Sequence, residues 1–110
     1  VEPVEINNGQ WYLRALRYDD RVDDRDALAD LGETDLDYVH DAEDAWADDT
    51  RYTWAVCEPT TGELLAEITL DPKSGYMHSR GRPGHQDAAA MAEDTVRRYA
   101  AQVLNLEVHT

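Results

Sequence analysis

Hydrophobic and polar positions change rhythm several times along this chain, and each rhythm predicts an element. Residues 1–10 keep no rhythm and read as a lead-in segment, closed by the turn formers Asn7, Asn8 and Gly9. In WYLRAL, Trp11, Leu13 and Ala15 alternate with Tyr12, Arg14 and Leu16, which predicts a strand. An Asp- and Arg-rich stretch follows. In it, Asp23 or Asp24 can cap a short helix carrying Ala27, Leu28 and Leu31, with Gly32 as its stop. Thr34 or Asp35 can cap a second helix, on which Leu36, Val39, Ala42 and Trp46 share one face before Asp48 and Asp49 close it.

The run RYTWAVC (51–57) is the clearest strand, with Tyr52, Trp54 and Val56 on one face. Pro59 and Gly62 supply a hairpin turn. LLAEITL (64–70) then returns with Leu64, Ala66, Ile68 and Leu70 on one face. A second turn at 71–75 leads to a short strand at Tyr76–Ser79, completing a three-stranded antiparallel meander. Residues 80–85 (RGRPGH) break the pattern. A long helix is expected from Gln86 to about Leu104, its core stripe formed by Ala88, Ala92, Val96, Tyr99 and Val103. Asn105 suits a left-handed helix end, and Leu106–Val108 begins another extended segment. The predicted fold is α+β, a single domain over 1–110 with a mixed, mainly antiparallel sheet and packed helices.

Composition sharpens this picture. With 42% apolar residues in 110, one modest core can form. Phenylalanine is absent, so three tryptophans and six tyrosines carry the aromatic bulk. Ten basic against 24 acidic residues give a net charge of −14, which repels phosphate backbones and anionic membranes. Neither nucleic acid nor a membrane is therefore an expected partner. Lys73 is the one lysine, and the acidity reads as solubility or as a genome biased toward Arg and Asp codons. The lone Cys57 ends an apolar run and reads as a buried thiol. There is no apolar stretch long enough for a membrane span and no basic-then-apolar leader, so a cytoplasmic location is expected.

Several segments together resemble the GNAT-type N-acetyltransferases. WYLRALRYDD is similar to the family's opening strand and the acidic start of its first helix. RYTWAVCEPTTGELLAEITLD resembles its second and third strands with their Gly-containing hairpin. GYMH stands where the fourth strand carries a Gly-Tyr pair, and RRYAAQVLNLEV resembles the end of the following helix and the approach to strand five. The branch that acetylates ribosomal-protein N-termini is the nearest in pattern, and the likeness covers residues 11–108. It implies an acetyl-CoA-dependent transferase. Such proteins continue past strand five with a helix and two strands that complete the acceptor site, whereas this sequence stops at Thr110.

The family holds the coenzyme A pyrophosphate on an R/Q-x-x-G-x-G/A turn at the start of the long helix, where glycines admit the phosphates to backbone N–H groups. Here that motif falls on Arg82-Pro83-Gly84-His85-Gln86-Asp87. Arg82 keeps its place, and His85 and Asp87 replace the two glycines; Gly81 and Gly84 allow a shifted register. The resemblance thus names Arg80, Arg82, Gly84, His85 and Asp87 as cofactor-site positions. Arg80 and Arg82 can attract an anion or pair with Asp87. Tyr76 and His78, on one face of the fourth strand, and Glu67 on the third are the candidate proton-transfer groups. The His85–Asp87 pair lacks a third metal ligand, the Asp19-Asp20 and Asp23-Asp24 pairs lack the features of a calcium loop, and no metal is expected. Arg97 and Arg98 complement the dipole of the long helix.

Two functions follow as expectations. One is a non-catalytic acetyltransferase-like binding or assembly module that uses no cofactor. The other is a minimal acetyltransferase that uses acetyl-CoA and whose acceptor site a second copy or a partner completes. An uncovered sheet edge near Val108 makes a homodimer the expected assembly.

Overall fold

A computed structural model describes all 110 residues. Five antiparallel strands lie side by side in chain order: β1 (Ile6–Asn7), β2 (Tyr12–Arg14), β3 (Tyr52–Cys57), β4 (Leu64–Leu70) and β5 (Met77–Gly81). Helices α1 (Arg25–Asp30) and α2 (Tyr38–Asp48) connect β2 to β3, and α3 (Gln86–Tyr99) follows β5. The chain closes with one parallel contact, in which Met77 N–H donates to His109 O and His109 N–H to Gly75 O. Gly75 makes this approach possible, since a Cβ there would lie 2.2 Å from Glu107 O and its φ is +80°.

The α+β expectation and the central meander stand. The lead-in is more than a lead-in, because Ile6–Asn7 pairs with β2 as an edge strand. That strand is too short to show alternation. The last meander strand begins one residue later than expected and runs two further, through Arg80 and Gly81. Near Val108 the edge is not left bare: Val108 is buried and His109 pairs with Tyr76.

Both faces of the sheet are covered. On one, Ala88, Ala92 and Val96 of α3, with Ala100 just after it, lie over Leu13, Trp54, Val56, Ile68 and Met77. On the other, Leu28 of α1 and Val39 and Ala42 of α2 pack with Leu16, Ala55, Cys57 and Leu64. Burial on both faces makes β3 buried at every position, which hides its alternation. Trp46, at the far end of α2, stacks on Tyr52 at 4.4 Å and meets Trp54 edge-on at 5.0 Å. Its indole N–H donates to Thr53 O, and that of Trp54 to Val4 O, so both rings are buried with their polar atoms satisfied.

Three expected core positions lie elsewhere. A register shift between Val56 and Cys57 pairs Cys57 with Leu64 and Val56 with Ala66. It turns Leu64 to the α1–α2 face and hands its place over α3 to Leu65. Leu36 precedes α2 and is 71% exposed, because the helix starts at Tyr38. Val103 is 65% exposed, because α3 passes at Ala100 into a π-helical turn, Ala100–Leu104, which rotates the stripe onto Leu104. Asn105 ends that turn with φ +51°, the left-handed residue expected there.

Candidate functional site

Residues on β4, β5, the turn after β5, the β3–β4 hairpin, α1, α2 and the α1–α2 connection meet in two ion-pair networks. In β4, alternation sends Glu67 to the α1–α2 face, opposite Arg80 of β5. Glu67 is 2% exposed; Arg80 Nε donates to its Oε1 at 2.7 Å and Tyr38 Oη to its Oε2 at 2.6 Å. Arg80 also reaches Glu33 at 3.3 Å and places its guanidinium over the Tyr38 ring. Burial works against the Arg80 charge, but the bond to Glu67 and its charge outweigh it and hold the guanidinium more firmly protonated. Burial, then the Glu67 charge, push the Tyr38 phenol well above its usual range. The network ties the segment between α1 and α2 to the sheet.

The second network lies at the turn itself. Arg82 donates to Glu63 and to Asp30, each at 2.7 Å, and these bonds raise its pKa. Neither arginine pairs with Asp87, one of the two possibilities open from sequence; other carboxylates take both. His85 N–H closes the turn on Arg82 O at 2.8 Å. Gly84 sits in it with φ +85° and open space where a Cβ would be. Gly81 belongs to β5, and a Cβ on it would meet His85 O at 2.8 Å. That glycine therefore serves strand-to-turn packing, and Gly84 is the turn's one open glycine. His85 is the N-cap residue of α3 without a side-chain cap bond, and Asp87 is exposed in the first turn.

Tyr76 and His78 flank the buried Met77 and share the face of Arg80, as alternation requires. Both are exposed, and Tyr76 leans against His109 at 5.9 Å. The register sets His78 opposite Thr69, so Glu67 lies diagonal to it on the same face. Chemically the three are unequal. Both Glu67 oxygens already accept hydrogen bonds, from Arg80 and Tyr38, and the side chain is buried away from water. His78 and Tyr76 face water. The structure brings Glu67 and Arg80 together; it leaves His78 and Tyr76 apart from them.

Sequence reasoning missed Tyr38, which was one more polar position before an apolar helix face. It also missed a buried pair under the α1 end of the sheet. There Arg14 Nη1 and Nη2 donate to both oxygens of Asp24, at 2.8 and 2.9 Å, while Asp24 accepts from Arg17 N–H at 2.6 Å. Burial opposes the Arg14 charge, and the bonds to Asp24 more than restore it. An arginine inside an apolar strand was the available signal. The pair borders a cleft of about 740 Å³ between α1 and the β3–β4 hairpin. Cys57 lies nearby, its thiol pushed up to about 12 by burial, which makes it a packing residue rather than a nucleophile. No helix is long and apolar enough to cross a membrane.

Solved structures of two acetyltransferases share this fold. A Vibrio cholerae protein provisionally assigned as a ribosomal-protein-serine acetyltransferase matches with a TM-score of 0.76 over 96% of this chain and 72% of its own, at 13% identity. An acetyltransferase from Agrobacterium tumefaciens str. C58 matches with a TM-score of 0.68 over 94% of this chain and 70% of its own, at 21% identity. No family model matches the chain, and no curated protein is significantly similar to it in sequence. At such identities the likeness establishes the fold; the chemistry has to be argued from the residues.

Proposed function

We propose that this chain is a GNAT-fold binding or assembly module that does not catalyse acetyl transfer. The observation that carries the reading is the state of the turn before α3. Its two flanking arginines, Arg80 and Arg82, are each held by two of the protein's own carboxylates, while Asp87 adds an unpaired one in the first helical turn. A pyrophosphate arriving there meets arginines already neutralised and a carboxylate of its own sign. The His85 side chain stands where the family has bare backbone. These residues do not fit acetyl-CoA, and Glu67, buried and bonded to Arg80 and Tyr38, is poorly placed as a base.

Isothermal titration with acetyl-CoA tests this. No binding heat is expected at low or physiological salt, and no acetyl transfer to amines. Micromolar binding overturns the reading. The double variant His85→Gly with Asp87→Gly should recover measurable binding, because it restores bare backbone and removes the charge.

One observation favours the second reading, a minimal acetyl-CoA-dependent N-acetyltransferase completed by a second copy or a partner. The 14-residue α3 has no side-chain cap, which leaves first-turn N–H groups and the helix dipole beside Gly84 for an anion. The titration separates the two.

A homodimer belongs to the same proposal. Its support is two exposed apolar side chains on separate segments, Leu36 before α2 (71%) and Val103 in the turn after α3 (65%). Light scattering at high micromolar concentration should give twice the 12.5 kDa chain mass. A strict monomer overturns this part.

A further inference from the structure

The chain has nine arginines. Five of them, Arg14, Arg17, Arg25, Arg80 and Arg82, are ion-paired. Arg21, Arg97 and Arg98 are unpaired and exposed to water. Arg51 alone is half-buried with no carboxylate, in a protein with 24 acidic residues. It is also held in place. Its Nε donates to Thr53 Oγ1 at 3.3 Å, and its guanidinium carbon lies 5.5 Å from the centre of the Tyr38 ring. Neither Nη atom makes a bond to the protein, so a fixed fork of donors is left over.

This arginine lines a groove of about 460 Å³ between α2, the start of β3, the end of β4 and the start of β5. It is separate from the turn before α3, which lies at the other end of β5. Asp41 and Asp71 also line the groove, and neither comes into ion-pair range of Arg51. The Asp41 carboxylate has no hydrogen-bond partner. Asp71 uses only Oδ1, which accepts from Lys73 and Ser74 N–H, so its Oδ2 is free. Ala45 and the half-exposed Tyr76 ring give the groove an apolar wall.

Charges of both signs thus border one concavity, each with donor or acceptor atoms to spare and none joined to another. A plain anion is drawn to Arg51 and repelled by two carboxylates, and a plain cation meets the reverse. A ligand with both charges a few bonds apart satisfies all three. We propose that the groove binds a small amino-carboxylate, a free amino acid with a modest apolar side chain. Its carboxylate sits on the Arg51 fork, its ammonium on Asp41 and Asp71, and its side chain against Tyr76. The proposal stands whether or not the turn before α3 binds acetyl-CoA.

The test is an NMR titration of the full chain with L-leucine and with its two half-ligands, 4-methylpentanoate and 3-methylbutylamine. Leucine should give saturable amide shifts confined to Thr50, Arg51, Thr69 and Tyr76. Each half-ligand should bind at least about tenfold more weakly, since one charged hydrogen bond is worth that much. Arg51→Gln should remove the advantage of leucine over the amine. Asp41→Asn and Asp71→Asn should weaken leucine and leave 4-methylpentanoate no weaker, an arm that decides the matter even if Arg51→Gln fails to fold. The proposal is overturned if leucine causes no shifts up to about 50 mM, a concentration that would reveal even millimolar affinity. Shifts elsewhere, or half-ligands as tight as leucine, overturn it too.

Discussion

Arg14 occupies a strand position between Leu13 and Ala15 where the core leaves only 6% of it exposed, and it stays charged because Asp24 meets it with both oxygens. Removing one member of such a pair strands the other in the interior. Asp24→Ala should therefore cost about 3–5 kcal/mol in urea unfolding, and Arg14→Met a similar amount. The double variant should lose less than the sum. It should not return to wild type, since Asp24 also accepts the Arg17 N–H and that donor would be left without a partner. Additive losses would mean that the pair is not coupled. This pair was poorly legible in the sequence because each partner had a sufficient local explanation: Asp24 as a helix cap, Arg14 as the polar half of an alternation. Asp24 does stand at the N-cap of α1, but its side chain makes no cap bond and is spent on Arg14. Only the fold brings the two residues, ten apart, into contact.

Among the elements, α3 is where pattern and structure agree best. Ala88, Ala92 and Val96 are fully buried against the sheet, as their spacing requires, and Tyr99 meets Trp54 edge-on at 5.8 Å. Val96→Asp should abolish folding, because it replaces about 1.5–3 kcal/mol of burial with a desolvated charge. Asp94→Ala, on the exposed side, should leave the thermal midpoint nearly unchanged. Equal effects by circular dichroism would show that the helix phase is wrong. The same reasoning explains where legibility ended. Leu64 and Val103 changed sides because a bulge and a π turn each insert one residue into a regular period, and neither has a residue signature here. The candidate site was legible as positions but not as partners. Arg80, Arg82 and Glu67 were named from sequence, whereas Glu33, Glu63, Asp30 and Tyr38, which hold them, come from distant segments.

For the molecule as a whole, charge sets the conditions of stability. At −14 the surface repels itself, so raising sodium chloride toward ~0.5 M, where screening is nearly complete beyond a few ångström, should raise the melting temperature at pH 7. Acid works the other way on particular loops. Asp19 is held down to about 2 by the backbone N–H groups of Arg21 and Val22 and the Arg17 side chain. Backbone N–H groups likewise lower Glu58, through Thr61 and Thr60, and Asp71, through Lys73 and Ser74. A carboxylate lowered in the folded state stabilises it above the unfolded value near 4, and that contribution is lost as pH falls through the folded value. A melting series from pH 7 to 2 should therefore show loss concentrated below about pH 4, and Asp19→Asn should flatten its most acidic part. A curve falling mainly between pH 7 and 5 would contradict the assignment.

The π turn at Ala100–Leu104 also bears on how this chain is counted against others. A π turn is an α-helix that has taken in one extra residue and kept its two ends in place. Positions up to Tyr99 therefore stand in the same frame as the turn before α3. Positions from Leu104 onward run one ahead. A relative whose helix is uniformly α would carry one residue fewer here, and matching it to this chain without a gap would displace the whole segment leading to His109. Distances in sequence across that turn overstate distances along the helix by a single residue, enough to move a side chain from the core to the water.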